Sequence, residues 1–439
     1  MAPDLAVDLL MDALAADIRA GTMAGVVATV HEAIALRGRV DEHRARRIDM
    51  TEVGLRIATG QHGSNELIRR FDELVGSDRP TADALFVAEV VAPALGFLRR
   101  TEESDQLLIE VEQDLRTRGA VRPLIAVLGA QALARYGRSF PDAIAAALDA
   151  ADLASTNGGL EQASVAGVVL ALAGAVVGDR SLCERAVEVL RDVPEPERRA
   201  MGPAGLAYLA HHLGRHEEAV ARYEPIVDIL PIGQGFVRWE VEWIESLIRL
   251  GRRHEALDLL ARLGEVVSPE MMSVTGIDRA RGMLAVDDEE AAAHFAAAVH
   301  VGETSRDDFV IGRAETAWGE RLRRSRRRAE SRRHLGRAVE LLRASGATLP
   351  AERAAAELRA AGGVVDDDPA TEAFQLLTPH ELQVAKLVVA GASNRDLALK
   401  LFISPRTVES HLTTIFRKLG IRNRRELAAR ALEDPLLQP

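Results

Sequence analysis

Residues 213–231 read LGRHEEAVARYEPIVDILP and residues 250–263 read LGRRHEALDLLARL. In the first, Gly214 marks a turn, Ala219 is the small residue where two paired helices can touch, Tyr223 follows one helical turn later, and Pro231 closes the segment. In the second, Gly251, Ala256 and Leu260 repeat the pattern 37 positions on. A small side chain lets neighbouring helices approach closely, and a bulky one a turn later fills the groove beside it. With the small residue as marker, further copies fall at Ala143, Cys183, Ala291 and Ser331, giving spacings of 40, 36, 37, 35 and 40. Four positions after each marker stand Ala147, Val187, Tyr223, Leu260, Phe295 and Leu335. Two weaker copies begin near Ser64 and Ser104.

A period of this length belongs to repeats in which each unit is one helical hairpin, unable to bury its apolar face alone, so that neighbours stack. The pattern resembles the second helix of a tetratricopeptide-like repeat. Working outward, residues 1–361 read as consecutive helices of roughly 12 to 18 residues, separated by short Gly, Pro or Arg-Arg breaks. Hydrophobic residues make up 47% of the chain and aromatics only 4%, so its cores are built from Ala, Leu and Val, which favour helix over sheet. The expected fold class is all-α: a tetratricopeptide-like helical repeat superhelix over residues 1–361, a linker over 362–374 (GGVVDDDPATEAF), and a second domain over 375–439.

Charge is divided along the chain. From residue 371 onward there are 10 basic and 7 acidic residues, whereas residues 1–370 carry 45 and 59, so a basic tail follows an acidic body. A basic module can dock on phosphate, which an acidic body repels. Only three lysines occur, Lys386, Lys400 and Lys418, all in the tail. No Gly-Lys pair exists, so no GxxxxGK[ST] phosphate loop is present and the chain is not itself a P-loop ATPase. A phospho-receiver domain would need alternating strands and helices, which the N-terminal region lacks. The single cysteine, Cys183, rules out an internal disulfide. With no charged start leading into an apolar stretch and no membrane-length apolar run, the protein is expected to be cytoplasmic. No HExxH spacing occurs among the twelve histidines, so no metal or cofactor is expected, and no catalytic residue is assigned.

The tail carries its own punctuation. Thr378-Pro379-His380-Glu381 reads as a capping box with proline at the first helical position, and that helix ends at Gly391. Ser393 caps NRDLALKLF, which runs to about Phe402. Ser404-Pro405-Arg406-Thr407 opens a third helix ending at Gly420, and Asn423 with Glu426 caps a fourth. Two short helices joined by so tight a turn are the helix-turn-helix arrangement, whose second member lies in the DNA major groove. In that member Val408, Leu412, Ile415 and Leu419 form one apolar stripe, and Arg406, Glu409, Ser410, Thr413 and Arg417 form the opposite one.

The run LTPHELQVAKLVVAGASNRDLALKLFISPRTVESHLTTIFRKLGIRNRRELAARAL, residues 377–432, resembles the LuxR-type (GerE-like) four-helix DNA-binding domain throughout, from its LTPxE opening to its KLG exit. The resemblance implies binding of double-stranded DNA by Arg406, Thr407, Glu409, Ser410, Thr413, Arg417 and Lys418. It also implies a homodimer on DNA through the fourth helix, with Arg424, Leu427, Ala428 and Ala431 at the contact. Many relatives carry Lys where this chain has Glu409, which either accepts from a cytosine amino group or pairs with Arg406. Residues 313–363 look like the last repeats of large MalT-like regulators, which place an ATPase module ahead of a repeat domain and this terminal domain. That likeness implies a repeat domain sensing a small-molecule inducer or a regulatory protein.

Several residues carry plainer readings. Cys183, at a marker position, reads as a buried inert thiol. Trp239 and Trp243 read as core aromatics rather than the lining of a ligand groove. The basic run RLRRSRRRAESRR, residues 321–333, reads as a solvated face pairing with acidic repeats. His411 is assigned to structural hydrogen bonding. The main reading is a ligand- or partner-controlled transcription regulator; the alternative is a repeat scaffold with a vestigial DNA-binding domain.

Overall fold

The computed structural model describes residues 3–20, 23–58, 65–76, 84–98, 100–230, 232, 239–266, 276–365, 377, 379–401, 408–409, 412–413, 415–416, 419 and 421–431. Among them every regular element is helical. The N-terminal helices α1 (Pro3–Ala20), α2 (Met23–Leu36) and α3 (Glu42–Ala58) share a small core around Val7, Val30 and Ile48, and α4 (Asn65–Gly76) packs on α3. The fifth, α5, passes from Ala84–Phe86 through a π-turn, Val87–Val91, into Ala92–Phe97.

From α5 onward the helices pair. It packs with α6 (Thr101–Arg118), and the next pairs are α7 (Val121–Arg135) with α8 (Phe140–Asn157), then α9 (Ser164–Val177) with α10 (Arg180–Leu190). The series continues with α11 (Pro196–His212) and α12 (His216–Tyr223), then α13 (Glu240–Arg249) and α14 (Arg253–Val266). Then come α15 (Ile277–Leu284) with α16 (Asp288–Ser305), α17 (Asp308–Arg324) with α18 (Arg328–Ala344), and a closing helix α19 (Thr348–Ala360). Each second helix also packs on the first helix of the following pair, so the hairpins stack in sequence order. Several helices are shorter than the expected 12 to 18 residues; α12 and α15 have 8 each.

The markers explain the stacking. Ala143, Cys183, Ala219, Ala256, Ala291 and Ser331 are all fully buried, one in each of six second helices. The thiol or hydroxyl of two markers, and the hydroxyl of Ser104 at a weaker copy, also closes the hairpin. Ser104 Oγ donates to the Ala92 carbonyl at 3.0 Å, Cys183 Sγ to Ala171 at 3.5 Å, and Ser331 Oγ to Gly319 at 2.8 Å. Each bond satisfies a buried hydroxyl or thiol and ties the second helix to the first twelve residues back. One turn on, Ala147, Tyr223, Phe295 and Leu335 are buried as the groove-filling role requires, while Val187 and Leu260 are half-buried. Gly214 and Gly251 hold φ of +73° and +75°, left-handed values that a Cβ disfavours. The chain also places arginine in that region, at Arg306 and Arg326, where the expected glycine is missing.

The stack curls back on itself. The Phe140 N–H donates to the Ser345 carbonyl at 2.9 Å and the Phe309 N–H to the Gly137 carbonyl at 3.2 Å. The rings of Tyr136 and Phe309 meet Phe140 edge-on at 5.1 and 5.0 Å. The α7–α8 hairpin thus touches the α17–α18 hairpin, and α9 touches α19.

Candidate nucleic-acid interface

Three helices of the terminal unit are described: α20 (Pro379–Val389), α21 (Asn394–Leu401) and α22 (Arg424–Ala431), together with helical residues of the third helix of the domain. Pro379 begins α20, as its missing N–H favours. The helix closes at Gly391, whose φ of +87° suits the left-handed cap, and the Ala392 N–H returns to the Leu387 carbonyl at 3.0 Å. Ser393 and Asp396 cap α21 reciprocally: the Asp396 N–H donates to Ser393 Oγ at 3.1 Å and the Ser393 N–H to Asp396 Oδ2 at 2.9 Å. Asn423 and Glu426 do the same for α22. There the Glu426 N–H donates to Asn423 Oδ1 at 3.0 Å, and the Arg422 N–H to Glu426 Oε2 at 2.8 Å.

Val408, Leu412, Ile415 and Leu419 are buried in one core with Val384, Ala385, Leu397 and Leu427. Because these four occupy one side of the third helix, Glu409 and Thr413 face away and are exposed. Thr413 Oγ1 donates to the Glu409 carbonyl at 2.8 Å, leaving its oxygen free to accept a second bond. Arg406, Thr407, Ser410, His411, Arg417 and Lys418 lie outside the described residues, as does Thr378. The expected partner for Glu409 within the chain, Arg406, is among them.

The four residues assigned to dimerisation separate. Leu427 is 0% exposed and fills the core of its own domain, because it falls on the α22 face turned toward α20. Arg424 donates to the Ala392 carbonyl at 2.6 Å and also to Asn394 Oδ1, pinning α22 to the turn before α21. Both side chains are therefore committed inside the domain. Ala428 is exposed and Ala431 ends the helix. Outside its own domain, α20 lies against α8 of the helical stack.

The sequence reading missed a buried polar seam on the first helices of successive hairpins. Arg313 on α17 donates to Glu242 and, at 2.8 Å, to Glu245 Oε2 on α13; Arg279 on α15 donates to Glu245 Oε1 at 2.6 Å and to Glu242 Oε1 at 3.2 Å. His211 on α11 completes it, with Nδ1 2.9 Å from Ser246 Oγ and Nε2 3.2 Å from Glu245 Oε2. Burial would raise the Glu245 carboxyl, but Arg279, Arg313 and the His211 hydrogen bond hold it well below the usual range. Burial pushes the His211 imidazole down to about 3 against the pull of Glu245, so it is neutral at physiological pH. Two carboxylates thus face two guanidiniums, a balanced set that a buried position requires.

The plainer readings have clear positions as well. Trp239 and Trp243 stack on each other at 6.0 Å and on Tyr223 at 5.7 and 6.3 Å. Trp239 is buried, while Trp243 also lines a surface hollow of about 570 Å³ with His254 and Asp258. In the basic run, Arg321 pairs with Asp288, Arg323 with Glu357, Arg324 with Glu320 and Arg327 with Glu330. Cys183 is buried, and burial pushes its thiol up to about 12. No helix among the described residues is long and apolar enough to cross a membrane.

An apolar stripe inside, an exposed Glu-Thr face outside and capped short helices on either side define a helix-turn-helix domain. Residues 375–431 match the bacterial regulatory proteins of the luxR family, and this part of the chain is a luxR-family DNA-binding domain. Relatives include the oxygen regulatory protein NreC of Staphylococcus aureus strains JH9 and JH1, each 41% identical over 68 residues, which is 16% of this chain and 31% of that protein. The chain therefore spans about a third of the length of the curated relatives it matches.

Proposed function

We propose that the protein is a DNA-binding transcription regulator whose stacked helical hairpins sense a ligand or protein partner and control the terminal domain. The observation that carries this reading is the luxR-family match over residues 375–431 combined with the exposed Glu409 and Thr413 opposite the buried stripe. Arg406, Thr407, Glu409, Ser410, Thr413, Arg417 and Lys418 contact DNA. The early members of the helix meet base edges while Arg417 and Lys418 meet the backbone. The protein binds as a homodimer on two half-sites about one helical turn apart, through the outward side of α22 around Ala428. The linkage to the hairpin stack runs through residues 362–374 and the packing of α20 on α8.

Fluorescence anisotropy with random and selected duplexes tests this. Affinity falls steeply with salt, and Arg417→Ala weakens binding to all duplexes while lowering the salt slope by about 1. Thr413→Ala changes the preference among sequences instead. No binding of the full chain to duplex DNA at low salt sinks the reading in favour of a repeat scaffold.

A further inference from the structure

Between α13, α15, α16 and α17 lies a cavity of about 300 Å³ that the DNA-binding reading leaves unused. Its polar wall holds three guanidiniums, Arg249, Arg321 and Arg324, and one carboxylate, Glu320. Its other wall is apolar, with Ile248, Met283, Phe295 and Ala317. The charges do not balance. Glu320 Oε2 accepts from Arg249 at 2.5 Å and Arg324 at 3.4 Å, and Oε1 accepts from Arg353 at 2.8 Å, so one carboxylate serves three guanidiniums. Arg321 has its own carboxylate, Asp288 at 2.7 Å, and also donates to the Ala285 and Val286 carbonyls at 3.0 Å each. Glu357 is held by Arg323 at 2.7 Å. Among the described residues, the three lining guanidiniums and the adjoining Arg353 thus share Glu320 and Asp288, in contrast to the balanced Glu242, Glu245, Arg279 and Arg313 set nearby. Arg249 Nε is buried and meets no acceptor among the described residues, so this guanidinium is only partly satisfied by them.

We propose that this cavity binds a small organic carboxylate, with its anionic group on Arg249 and Arg324 and its hydrocarbon or aromatic body against Phe295 and Met283. Guanidinium recognises carboxylate through paired, charge-assisted hydrogen bonds, and the apolar wall selects against a bare inorganic anion. A bound anion held by Arg249 on α13 and Arg324 on α17 adds a further tie between two non-adjacent hairpins. This deepens the sensing reading above and rests on it for any effect on DNA, while the binding itself does not.

The test is titration calorimetry of the full chain with benzoate, phenylacetate and hexanoate, with inorganic phosphate and benzyl alcohol as the anion-only and body-only probes. At least one carboxylate binds saturably at millimolar concentration, and phosphate and benzyl alcohol do not. Arg324→Gln, at an arginine whose side chain is 60% exposed and so dispensable for folding, weakens that binding at least about tenfold. Arg180→Gln, outside the cavity, leaves it unchanged. The proposal is overturned if none of the three carboxylates binds, if phosphate binds as tightly as they do, or if Arg324→Gln has no effect. Repeating the DNA anisotropy with the bound carboxylate separates the two readings: binding without any change in DNA affinity leaves the site standing and removes its control of the terminal domain.

Discussion

Replacing Arg313 with methionine removes one guanidinium from the buried seam and leaves its two carboxylates with Arg279 alone. In the native protein Arg313 reaches Glu242, Glu245 and, at 3.2 Å, the Tyr208 hydroxyl, with only 9% of its side chain exposed. Breaking a buried pair by removing one partner costs about 3–5 kcal/mol, because the stranded charge stays out of water. Arg180→Met, which removes a pair with Glu184 whose side chains are 60% and 57% exposed, changes stability little, because water screens the pair. The Arg313 loss also acquires a pH dependence. Arg313 lowers both the Glu245 carboxyl and the His211 imidazole, so without it the variant takes up a proton on one of these two groups at pH values where the native protein does not. A group whose folded pKa has been raised contributes stability at low pH that is lost as pH rises. The deficit is therefore largest near pH 8 and shrinks toward pH 6, at up to about 1.4 kcal/mol per pH unit for one proton. Urea unfolding followed by far-ultraviolet circular dichroism at both pH values measures this. A deficit no larger than that of Arg180→Met, or one that does not change with pH, refutes the description of the seam as a desolvated ionic set.

Four further outcomes follow from local packing and burial. A Cβ on Gly205 would lie 2.6 Å from Ala171 Cβ and 2.8 Å from its carbonyl oxygen, so Gly205→Ala prises α11 from α9 and costs about 1–2 kcal/mol even after its helix-propensity gain. Gly336→Ala, with nothing within 4 Å, gains about 0.5–1 kcal/mol, and thermal melts that rank the two the other way contradict the packing. Burial raises the Asp149 carboxyl to about 7, against the pull of Arg116 at 4.0 Å, so its folded state favours the proton and native stability falls between about pH 4 and pH 7. Asp149→Asn removes this loss, and its advantage over the native chain grows by up to about 3 kcal/mol from pH 5 to pH 8; an advantage that is flat with pH disproves it. The native Cys183 thiol, buried and pushed up to about 12, stays unreactive toward a disulfide reagent until the chain is unfolded, and rapid labelling of folded protein would refute its burial.

The helical stack was legible because close helix packing leaves a mark that recurs from one hairpin to the next. A position that must be small recurs as Ala143, Cys183, Ala219, Ala256, Ala291 and Ser331, and the structure buries every one. In the terminal unit, the Ser393 cap and the Asn423–Glu426 pair were readable because a cap is a local device, while Asp396, which completes the first, went unread. The buried stripe of the third helix was readable from its period. Leu427 was not. The α22 helix has apolar residues on more than one side, and only its docking on α20 decides which one faces the core.

The polar seam and the arginine-lined cavity escaped the sequence for a different reason, which their own spacing exposes. Arg279 meets Glu245 and Glu242 across 34 and 37 residues, and Arg313 meets the same two across 68 and 71. These separations are one and two repeat periods. Charges at equivalent places in successive first helices come to share a face once the hairpins stack, so the ionic pairing is a product of the repeat and not of any local motif. Composition marks the region only as rich in arginine, and a surface run such as residues 321–333 reads alike whether its members balance or not. The difference lies in the partners: Glu242 and Glu245 match two guanidiniums, whereas Glu320 alone answers three. Among the described residues, the arginine excess at this cavity, beside a balanced set built by the same repeat, is what the proposed organic anion answers.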